Sequence, residues 1–568
     1  MRSPTVSPNR KNKISSPATV DMAMPFQAAQ VAYNQYPVQP AASVGYRSEG
    51  ALLILADSAQ LEVIVFDLPS TLSCFALVTD CCSATLAQSL VQRGITFLNQ
   101  ISDIKIDGHL GEFHVFATNH GVEISANQEL GLQDKGFDLI LNLIRDLTRM
   151  PTIPPVGCLM PELDPTNIST AVAQLPDWVG EFEKPKYFEL NREICAHSAV
   201  SITGCSNCIS ACATGAISSV DNQIRIDPYL CQGCGDCTTV CPSGAVRFAY
   251  PCPEDTLNRL RQMLSVYASA GGKVPVILFH DGAEGRRWLA ENAGLLPINI
   301  LCYEVESLGS VGIEIWLAAL AYGAAGVLFL AAGDITHESL DSIDHQLNIA
   351  AEILNGMEKL RSTLKLVRTV DDIVNNTQIR SRGAPKASAK FAGLNDKRTV
   401  VRLAIDFLLE SYRPIEPDKN LPVGAPFGEI VVNTDRCTLC MSCVSVCPER
   451  ALADDPNEPK LGFIESNCVQ CGICGTACPE DAITLNPRYL YDSVSARKKR
   501  TLYQETPFCC IECGKPFATQ KMIKVISEKL AAHPMFQDED NRRLKMCEDC
   551  RVKNQFNQPA GGSVRLKP

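Results

Sequence analysis

Residues 437–448, CTLCMSCVSVCP, and residues 468–479, CVQCGICGTACP, repeat one pattern, C-x2-C-x2-C-x3-C-P. With this spacing, three thiolates on a tight loop bind three irons of one cubane. The fourth thiolate starts the next helix and reaches the neighbouring cubane. Thiolates are also the soft ligands that iron–sulfur clusters select. The spacing therefore predicts one module with two [4Fe–4S] clusters.

The cross-over rule of this spacing divides the eight cysteines between two sites, as in bacterial-type ferredoxins. Two zinc ribbons or free thiols are the alternative interpretation, and the fourfold spacing followed by proline favours clusters. The predicted ligands are Cys437, Cys440, Cys443 and Cys478 for one cluster, and Cys468, Cys471, Cys474 and Cys447 for the other.

An upstream block of cysteines repeats the module with one irregular run. Residues 231–242 (CQGCGDCTTVCP) are complete, but Ile202 stands where the earlier run should have its first ligand. We predict that Cys195 returns through a bulged loop. A [3Fe–4S] site or ligation by His197 is the alternative, although hydrogen bonding or solvation suits His197 better. The predicted ligands are Cys195, Cys205, Cys208 and Cys241, and then Cys231, Cys234, Cys237 and Cys212.

The C-terminal region carries two further C-x2-C pairs. Four thiols in two pairs are typical of a structural zinc site, here Cys510, Cys513, Cys547 and Cys550. The gap between the pairs is long for a zinc ribbon, so two alternatives remain: these cysteines bind a further iron–sulfur cluster, or they bind no metal. The basic run 497–500 (RKKR) is expected to be a solvated helix face, with a docking patch for an acidic partner as the alternative.

Composition restricts the class of protein. The chain has 568 residues, 27 cysteines and a net charge of −11. Paired cysteines in so long a chain indicate metal ligation in a reducing compartment. The acidic balance argues against nucleic acid as the main partner. The first residues lack an apolar signal segment, so we expect a cytoplasmic location. We predict no catalytic residue, since a glycine-rich phosphate loop and a nucleophile elbow are absent.

The fold class expected is a multidomain α+β chain. Residues 315–333 carry no charge and approach the length of a membrane span, but a helix, a glycine cap and a buried parallel strand explain them better. The predicted segments are a disordered tail (1–48), an α/β or β-rich domain (49–160), the first two-cluster module (185–250), an α/β domain (251–370), a linker and helix (371–425), the second two-cluster module (426–490) and the C-terminal four-cysteine region (500–568).

The segment that begins with VPVILFHDG at residue 274 and ends with IWLAALAYGAAGVLFLAAGD at residue 334 resembles the delta subunit of methyl-viologen-reducing hydrogenase. That family passes electrons between a hydrogenase or formate dehydrogenase and a flavin partner, and binds its own [2Fe–2S] cluster. Only Cys302 matches the cysteines of that cluster. His280 and Asp281 stand near the first position, and Ala331 and Ala332 near a later one. The resemblance therefore implies a parallel-sheet domain without its cluster, used for docking or dimerisation.

Taken as a whole, the chain after residue 50 resembles bacterial polyferredoxin-like proteins of formate dehydrogenase systems. The matching stretches include EFEKPKYF, ICAHS, CQGCGDC, LPVGAPFG, CTLCMSC, CGKPF and MCEDCRV. The resemblance implies one-electron transfer through four [4Fe–4S] clusters to or from a formate dehydrogenase or hydrogenase type of partner. A maturation or docking factor with structural clusters, and a subunit of a flavin or nucleotide oxidoreductase, remain the alternatives.

Overall fold

The computed structural model describes residues 20–133, 135–198, 204–357, 360, 363–379, 387–392, 396–456, 458–530 and 542–556. Within them the chain forms an α+β multidomain protein, as the sequence predicts. Two domains are built on parallel sheets, and small antiparallel sheets support the two cysteine-rich modules. None of the helices in the described residues has the length and apolar character that crossing a membrane requires.

The N-terminal domain packs a parallel sheet against a second sheet in which one of the three strand pairs, β5 with β9, is parallel and the other two are antiparallel. The parallel sheet has the strand order β10-β8-β2-β3-β4, and the second sheet has the order β7-β6-β5-β9. Side chains alternate along β2, so Leu52 and Ile54 enter one core while Leu53 and Leu55 enter the other. The strands are β1 (Ser43–Ser48), β2 (Ala51–Ala56), β3 (Ser73–Val78), β4 (Thr96–Leu98), β5 (Ile101–His109), β6 (Glu112–Asn119), β7 (Val122–Ser125), β8 (Leu139–Asn142), β9 (Thr148–Arg149), β10 (Cys158–Leu159) and β11 (Gly180–Pro185).

Four helices accompany these strands, and the domain is larger than the predicted 49–160. Strand β1 pairs antiparallel with β11, so the folded unit extends from residue 43 to residue 185. The prediction placed β1 in the disordered tail because residues 1–48 are rich in Pro, Ser, Ala, Gln and Asn and show no apolar periodicity. The helices are α2 (Ser58–Ile64), α3 (Ala84–Gln92), α4 (Ala126–Glu129) and α5 (Pro165–Gln174).

The predicted disorder of residues 1–48 is wrong for the part that the structure describes. Residues 1–19 lie outside the described residues, but helix α1 (Val20–Gln35) lies against the central domain. Ala29 is fully buried there, and the Tyr33 ring packs on Tyr303 with 5.0 Å between the ring centroids. Arg259 covers the other side of Tyr33, with its guanidinium carbon 4.7 Å from the ring centroid. Long-range packing, which local composition does not reveal, orders this helix.

The central domain has four parallel strands in the order β17-β16-β18-β19. The apolar segment around residue 320 is a buried helix, a glycine with φ +114° at Gly323 and a buried strand, as predicted. The long helix α11 runs from His337 to Asn355. The elements are α8 (Pro253–Ser269), β16 (Val276–Asp281), α9 (Glu284–Asn292), β17 (Ile300–Val305), α10 (Ile313–Ala321), β18 (Gly326–Leu330), α11 (His337–Asn355), β19 (Leu364–Val367) and α12 (Val370–Ile379).

The segment predicted as a linker is partly packed on the central domain. Residues 380–386 and 393–395 lie outside the described residues. Between them, Ala389 is buried and its N–H donates to the Ala321 carbonyl at 2.9 Å. Phe391 packs on Tyr322, with 5.1 Å between the ring centroids. Helix α13 (Lys397–Ser411) then leads into the second cysteine-rich module.

Short elements hold the cysteine loops in both modules. The first module contains β12 (Phe188–Leu190), α6 (Asn207–Ser210), β13 (Ile217–Val220), β14 (Gln223–Ile226), α7 (Asp236–Val240) and β15 (Val246–Phe248). The second contains β20 (Asp418–Asn420), β21 (Gly428–Val432), α14 (Ser442–Ser445), β22 (Leu452–Ala453), β23 (Lys460–Phe463), α15 (Ile473–Thr476) and β24 (Ile483–Leu490). The C-terminal region follows with α16 (Ser493–Arg497), β25 (Arg500–Gln504), β26 (Pro507–Cys509), β27 (Pro516–Thr519), α17 (Gln520–Leu530) and α18 (Glu548–Phe556).

Replacing Tyr33 by alanine should destabilise the central domain, because the ring loses its contacts with Tyr303 and Arg259. For a partly buried aromatic side chain we expect a loss of about 2 kcal/mol. The loss appears as a lower midpoint of the thermal transition followed by circular dichroism. The control is Val31→Ala on the same helix, where the side chain is 52% exposed. Equal midpoints for both variants would contradict the packing of α1.

Candidate metal centres

Three of the four cysteine runs share one loop conformation. The residue before the second cysteine has a positive φ in each: Gly233, Leu439 and Gln470. The residue after the second cysteine does as well: Gly235, Met441 and Gly472. Two left-handed residues wind the chain tightly, so that the first three thiols of a run point to one centre. The sequence repeat is therefore also a backbone repeat.

A short helix follows each loop and carries the third cysteine of the run. The fourth cysteine lies just beyond the helix and points to the neighbouring centre. In the irregular run, Cys208 lies on α6 and so occupies the third position, while Cys205 occupies the second. The other third-position cysteines are Cys237 on α7, Cys443 on α14 and Cys474 on α15.

The sixteen cysteines surround four cavities, and their grouping follows the cross-over rule. Each cavity has about 300–380 Å³ of space free of protein atoms, part of it open to solvent, and that of the irregular run has the least, about 300 Å³. We name each site by its first cysteine. The Cys195 site contains Cys195, Cys205, Cys208 and Cys241; the Cys231 site contains Cys231, Cys234, Cys237 and Cys212; the Cys437 site contains Cys437, Cys440, Cys443 and Cys478; and the Cys468 site contains Cys468, Cys471, Cys474 and Cys447.

Cys195 takes the place of the first ligand of the irregular run, where the sequence has Ile202 and no thiol. It lines the cavity with Cys205, Cys208 and Cys241, whereas Ile202 lies outside the described residues. His197 also lines this cavity, but both of its ring nitrogens have partners. Nδ1 lies 3.0 Å from the Cys205 carbonyl oxygen and Nε2 lies 2.7 Å from the Ser219 hydroxyl. The hydrogen-bonding role expected for His197 agrees with this geometry.

The chemistry of these thiols fits a metal cluster. Burial raises the pKa of Cys208 to about 12, with the neighbouring Cys241 thiolate adding to the rise. Burial likewise raises the pKa of Cys471 to about 12. Four such thiols around one cavity are unfavourable as free thiolates, and a bound cation is the usual means of deprotonating them. The donor set and its enclosure therefore suit [4Fe–4S] clusters at all four sites.

Hydrogen bonds to sulfur distinguish the sites. The backbone N–H of Ala451 donates to Cys447 Sγ at 3.2 Å, and that of Ala482 donates to Cys478 Sγ at 3.3 Å. The side-chain partner at the Cys468 site is an amide, since Gln470 Nε2 donates to Cys468 Sγ at 3.3 Å. At the other three sites the side-chain partner is a hydroxyl: those of Thr214, Ser243 and Ser442 lie 3.4, 3.9 and 3.4 Å from the Sγ atoms of Cys212, Cys241 and Cys440. Donors of this kind stabilise the more negative, reduced form of a cluster and raise its potential.

The two modules meet at their cysteine loops. A β-carbon added at Gly204 would lie 2.6 Å from the Ile473 side chain, so the backbone beside Cys205 approaches the loop between Cys471 and Cys474. In addition to burial, the charge of the Cys205 thiolate raises the pKa of Cys471. The Cys195 site and the Cys468 site are therefore neighbours across the junction between the modules.

The outer sites adjoin the inner sites within each module. Burial is the main cause that raises the pKa of Cys237 and of Cys474, and the thiolates of the same site add to the rise. The charge of Cys208, in the neighbouring site, raises the pKa of Cys237 further, and the charge of Cys443 does the same for Cys474. The four sites thus follow one another in the order Cys231, Cys195, Cys468 and Cys437. All sixteen cysteines are described, and among them only Cys440, in the Cys437 site, is exposed.

The C-terminal cysteines converge more tightly than those of the four cavities. The Sγ atoms of Cys510, Cys513, Cys547 and Cys550 all lie within 4.8 Å of one another, a criterion that no other such group in the described residues meets. Cys513 Sγ lies 3.6 Å from Cys547 Sγ. Zinc bonded to sulfur at about 2.3 Å in a tetrahedron requires about 3.8 Å between sulfurs. The spacing of the four sulfurs suits one tetrahedrally bound ion.

The central domain has no comparable group in the part that the structure describes. Cys302 lies on β17 among apolar side chains that include Trp288 and Leu289. His280 and Asp281 end strand β16, and the Nδ1 of His280 lies 2.9 Å from the carbonyl oxygen of Asp281. These residues do not gather ligands around a common point.

Sequence reasoning missed a buried ion-pair network beside the Cys468 site. Arg488 and Arg500 both bond Glu465, at 2.9 and 2.6 Å, and both also contact Glu429. Glu465 is buried and lies three residues before Cys468. Arg500 ends the basic run 497–500, and the prediction of a solvated helix face is wrong for it, because it lies on strand β25 and pairs with Glu429 and Glu465. A run of like charges does not indicate which carboxylates it will meet.

The model of the 4Fe-4S dicluster domain family matches residues 203–245 and residues 436–482. The first match begins after Cys195, and the second contains all eight cysteines of its module. No curated protein matches the chain. The chain thus carries two 4Fe-4S dicluster domains and is an iron–sulfur protein of the electron-transfer kind.

Replacing Cys195 by serine should remove or alter one cluster, because this cavity is lined by four cysteines and has no fifth thiol among the described residues to replace the lost one. We expect the iron content to fall by about one to four atoms per chain. Iron and sulfide analysis with EPR of the oxidised protein distinguishes a [3Fe–4S] product from complete loss. The control is Cys81→Ser, which alters an exposed cysteine away from the sites. Unchanged iron in Cys195→Ser would exclude this residue as a ligand.

The Gln470→Leu variant should lower the reduction potential of the Cys468 site, since it removes an N–H donor to sulfur. Leu439 occupies the same loop position with the same positive φ in the Cys437 site, so leucine fits this backbone. A hydrogen bond of about 0.5–1.5 kcal/mol corresponds to about 20–60 mV for one electron. EPR-monitored redox titration measures the shift, and Leu439→Gln is the reciprocal control. A higher potential in Gln470→Leu would contradict the role of this donor.

Proposed function

We propose that this protein is a four-cluster relay that transfers single electrons between redox enzymes. Each [4Fe–4S] cluster, when bound, accepts and releases one electron. The observation that carries the proposal is the unbroken order of the Cys231, Cys195, Cys468 and Cys437 sites. We infer a partner of the formate dehydrogenase or hydrogenase type from the resemblance of the sequence. We assign no nucleic-acid partner, and we place the protein in the cytoplasm because its thiols require a reducing compartment.

The residues of the chain enclose and tune the relay. Tyr187 covers the Cys231 site, where its ring lies against Gly233, and its hydroxyl donates to Glu306 at 3.0 Å. At the other end, the exposed Cys440 brings the Cys437 site to the surface. We therefore assign the Cys440 loop as the place where a redox partner exchanges electrons with the relay.

A second candidate function is a maturation or docking factor with largely structural clusters. The central domain favours it, because it resembles a hydrogenase subunit but retains only Cys302 of the cluster cysteines. A domain that retains the parallel sheet but lacks the cysteine ligands of the [2Fe–2S] cluster is suited to binding another protein. Cluster-independent capture of an apo-dehydrogenase would support this function, and a reversible low-potential titration of all four sites supports the relay.

The relay is tested by EPR of the fully reduced protein with anaerobic iron analysis. We expect about sixteen irons per chain and spectra broadened by coupling between the modules. The matched variant Cys471→Ala disturbs the Cys468 site and should relieve the broadening of signals from the first module. Spectra that are the sum of two independent modules in the unaltered protein would contradict a single relay.

We propose that the Cys510 site holds zinc and is structural. Burial opposes ionisation of Cys510, but hydrogen bonds from the backbone N–H groups of Cys547, Cys513 and Glu512 outweigh it and lower the pKa of this thiol to about 6. A thiol ionised at neutral pH is ready to bind a divalent cation.

The Cys547→Ser variant should lose about one zinc per chain and keep its iron, because the site is separate from the four cavities. Elemental analysis of the purified protein measures both metals. A fall in iron with no change in zinc would show that the site belongs to an iron–sulfur cluster.

A further inference from the structure

Two consecutive cationic side chains at the start of α13 reach into different modules. Lys397 extends into the first module, where its Nζ donates to the carbonyl oxygens of Thr238 and Thr239 at 2.8 and 2.7 Å. These carbonyls belong to the last turn of α7, between Cys237 and Cys241. An ammonium at the C-terminal end of a helix satisfies free carbonyls and opposes the negative end of the helix dipole. Lys397 therefore fixes the segment that links the Cys231 and Cys195 sites.

Arg398 extends into the second module and is buried there. Its Nη1 donates to the Pro426 carbonyl at 2.8 Å, and its Nη2 donates to the carbonyls of Ser466 and Cys468 at 3.1 and 2.9 Å. Its guanidinium also lies over the Phe427 ring, 5.0 Å from the centroid. Arg398 thus fixes the backbone of the first cysteine of the Cys468 site.

The charges of these two side chains are only partly compensated. Lys397 lies 3.9 Å from Glu314, a carboxylate that is itself buried. Arg398 forms no ion pair within 4.0 Å with any carboxylate of the described residues. Burial lowers the pKa of Arg398, and the negative charge of Glu449 opposes this only in part. A buried cation without a counter-ion is strongly unfavourable. A cluster with four thiolate ligands supplies negative charge beside it, and this charge grows by one when the cluster is reduced.

We propose that Lys397 and Arg398 form a clamp that holds the Cys195 and Cys468 sites together and makes both sites easier to reduce. The inference rests on the proposed relay and goes beyond it, because it assigns the junction between the modules to two positioning residues. The Lys397 and Arg398 side chains also line a cavity of about 340 Å³ between the modules, together with Cys241 and Phe427. The clamp therefore crosses the junction itself.

The clamp predicts different effects for its two members. Lys397→Met should lower the potential of the Cys195 site, and Arg398→Met should lower that of the Cys468 site. In each case we expect the equilibrium ratio of reduced to oxidised cluster to fall three- to tenfold, and the tenfold limit equals 59 mV for one electron. Each variant should also weaken the EPR coupling between the modules. Lys397→Arg and Arg398→Lys keep the charge and should restore the potentials in large part.

Arg413→Met is the matched control, because it removes one positive charge beyond the other end of α13, where the residue is exposed. Hydrogen exchange of residues 204–212 and 466–476 provides a second readout, and it should be faster in Lys397→Met and Arg398→Met. Iron analysis shows that each variant retains its clusters. If Lys397→Met and Arg398→Met change the potentials and exchange no more than Arg413→Met, the clamp is excluded. Absence of coupling in the unaltered protein would instead overturn the relay.

Discussion

The proposed relay depends on the contact between the Cys205 loop and the Cys471 loop. Each module by itself is a pair of sites, and the approach of Gly204 to Ile473 places the inner site of one pair beside the inner site of the other. The absence of a side chain at Gly204 permits this approach, since a β-carbon there would overlap Ile473. A rigid frame must hold such a contact, because electron exchange weakens steeply when neighbouring centres separate.

The remaining domains supply that frame. Strand β1 pairs with β11, which leads directly into the first module, while the N–H of Gln39 donates to Asp255 of the central domain at 2.7 Å. The central domain holds the first module through Thr239, whose hydroxyl donates to the Gly309 carbonyl at 2.7 Å. Tyr491, at the end of the second module, donates to the Ile353 carbonyl at 2.7 Å. Both modules thus contact the same central domain. A structural role suits this domain, because its described residues gather no group of metal-ligating side chains.

The sequence predicted the local chemistry well and the long-range arrangement poorly. Cysteine spacing determines which thiols share a centre, so the grouping at the four cavities, with Cys195 among them, followed from the chain alone. The helix, glycine and strand around Gly323 were predicted equally well, because an uncharged segment interrupted by glycines can adopt few other structures in a folded protein. Helix α1 was missed, since its buried residues, such as Ala29, are small and its order depends on α8. The contact of Gly204 with Ile473 joins residues far apart in the chain and leaves no periodic signal.

Diffraction at the iron absorption edge from anaerobically grown crystals tests the central claim most directly. The anomalous signal locates the irons without reference to any assignment of ligands. The account predicts four iron centres in one row, with the Cys195 and Cys468 centres adjacent across the junction and a separate zinc at the Cys510 site. Two pairs of centres separated by protein, or an empty cavity at Cys195, would contradict it.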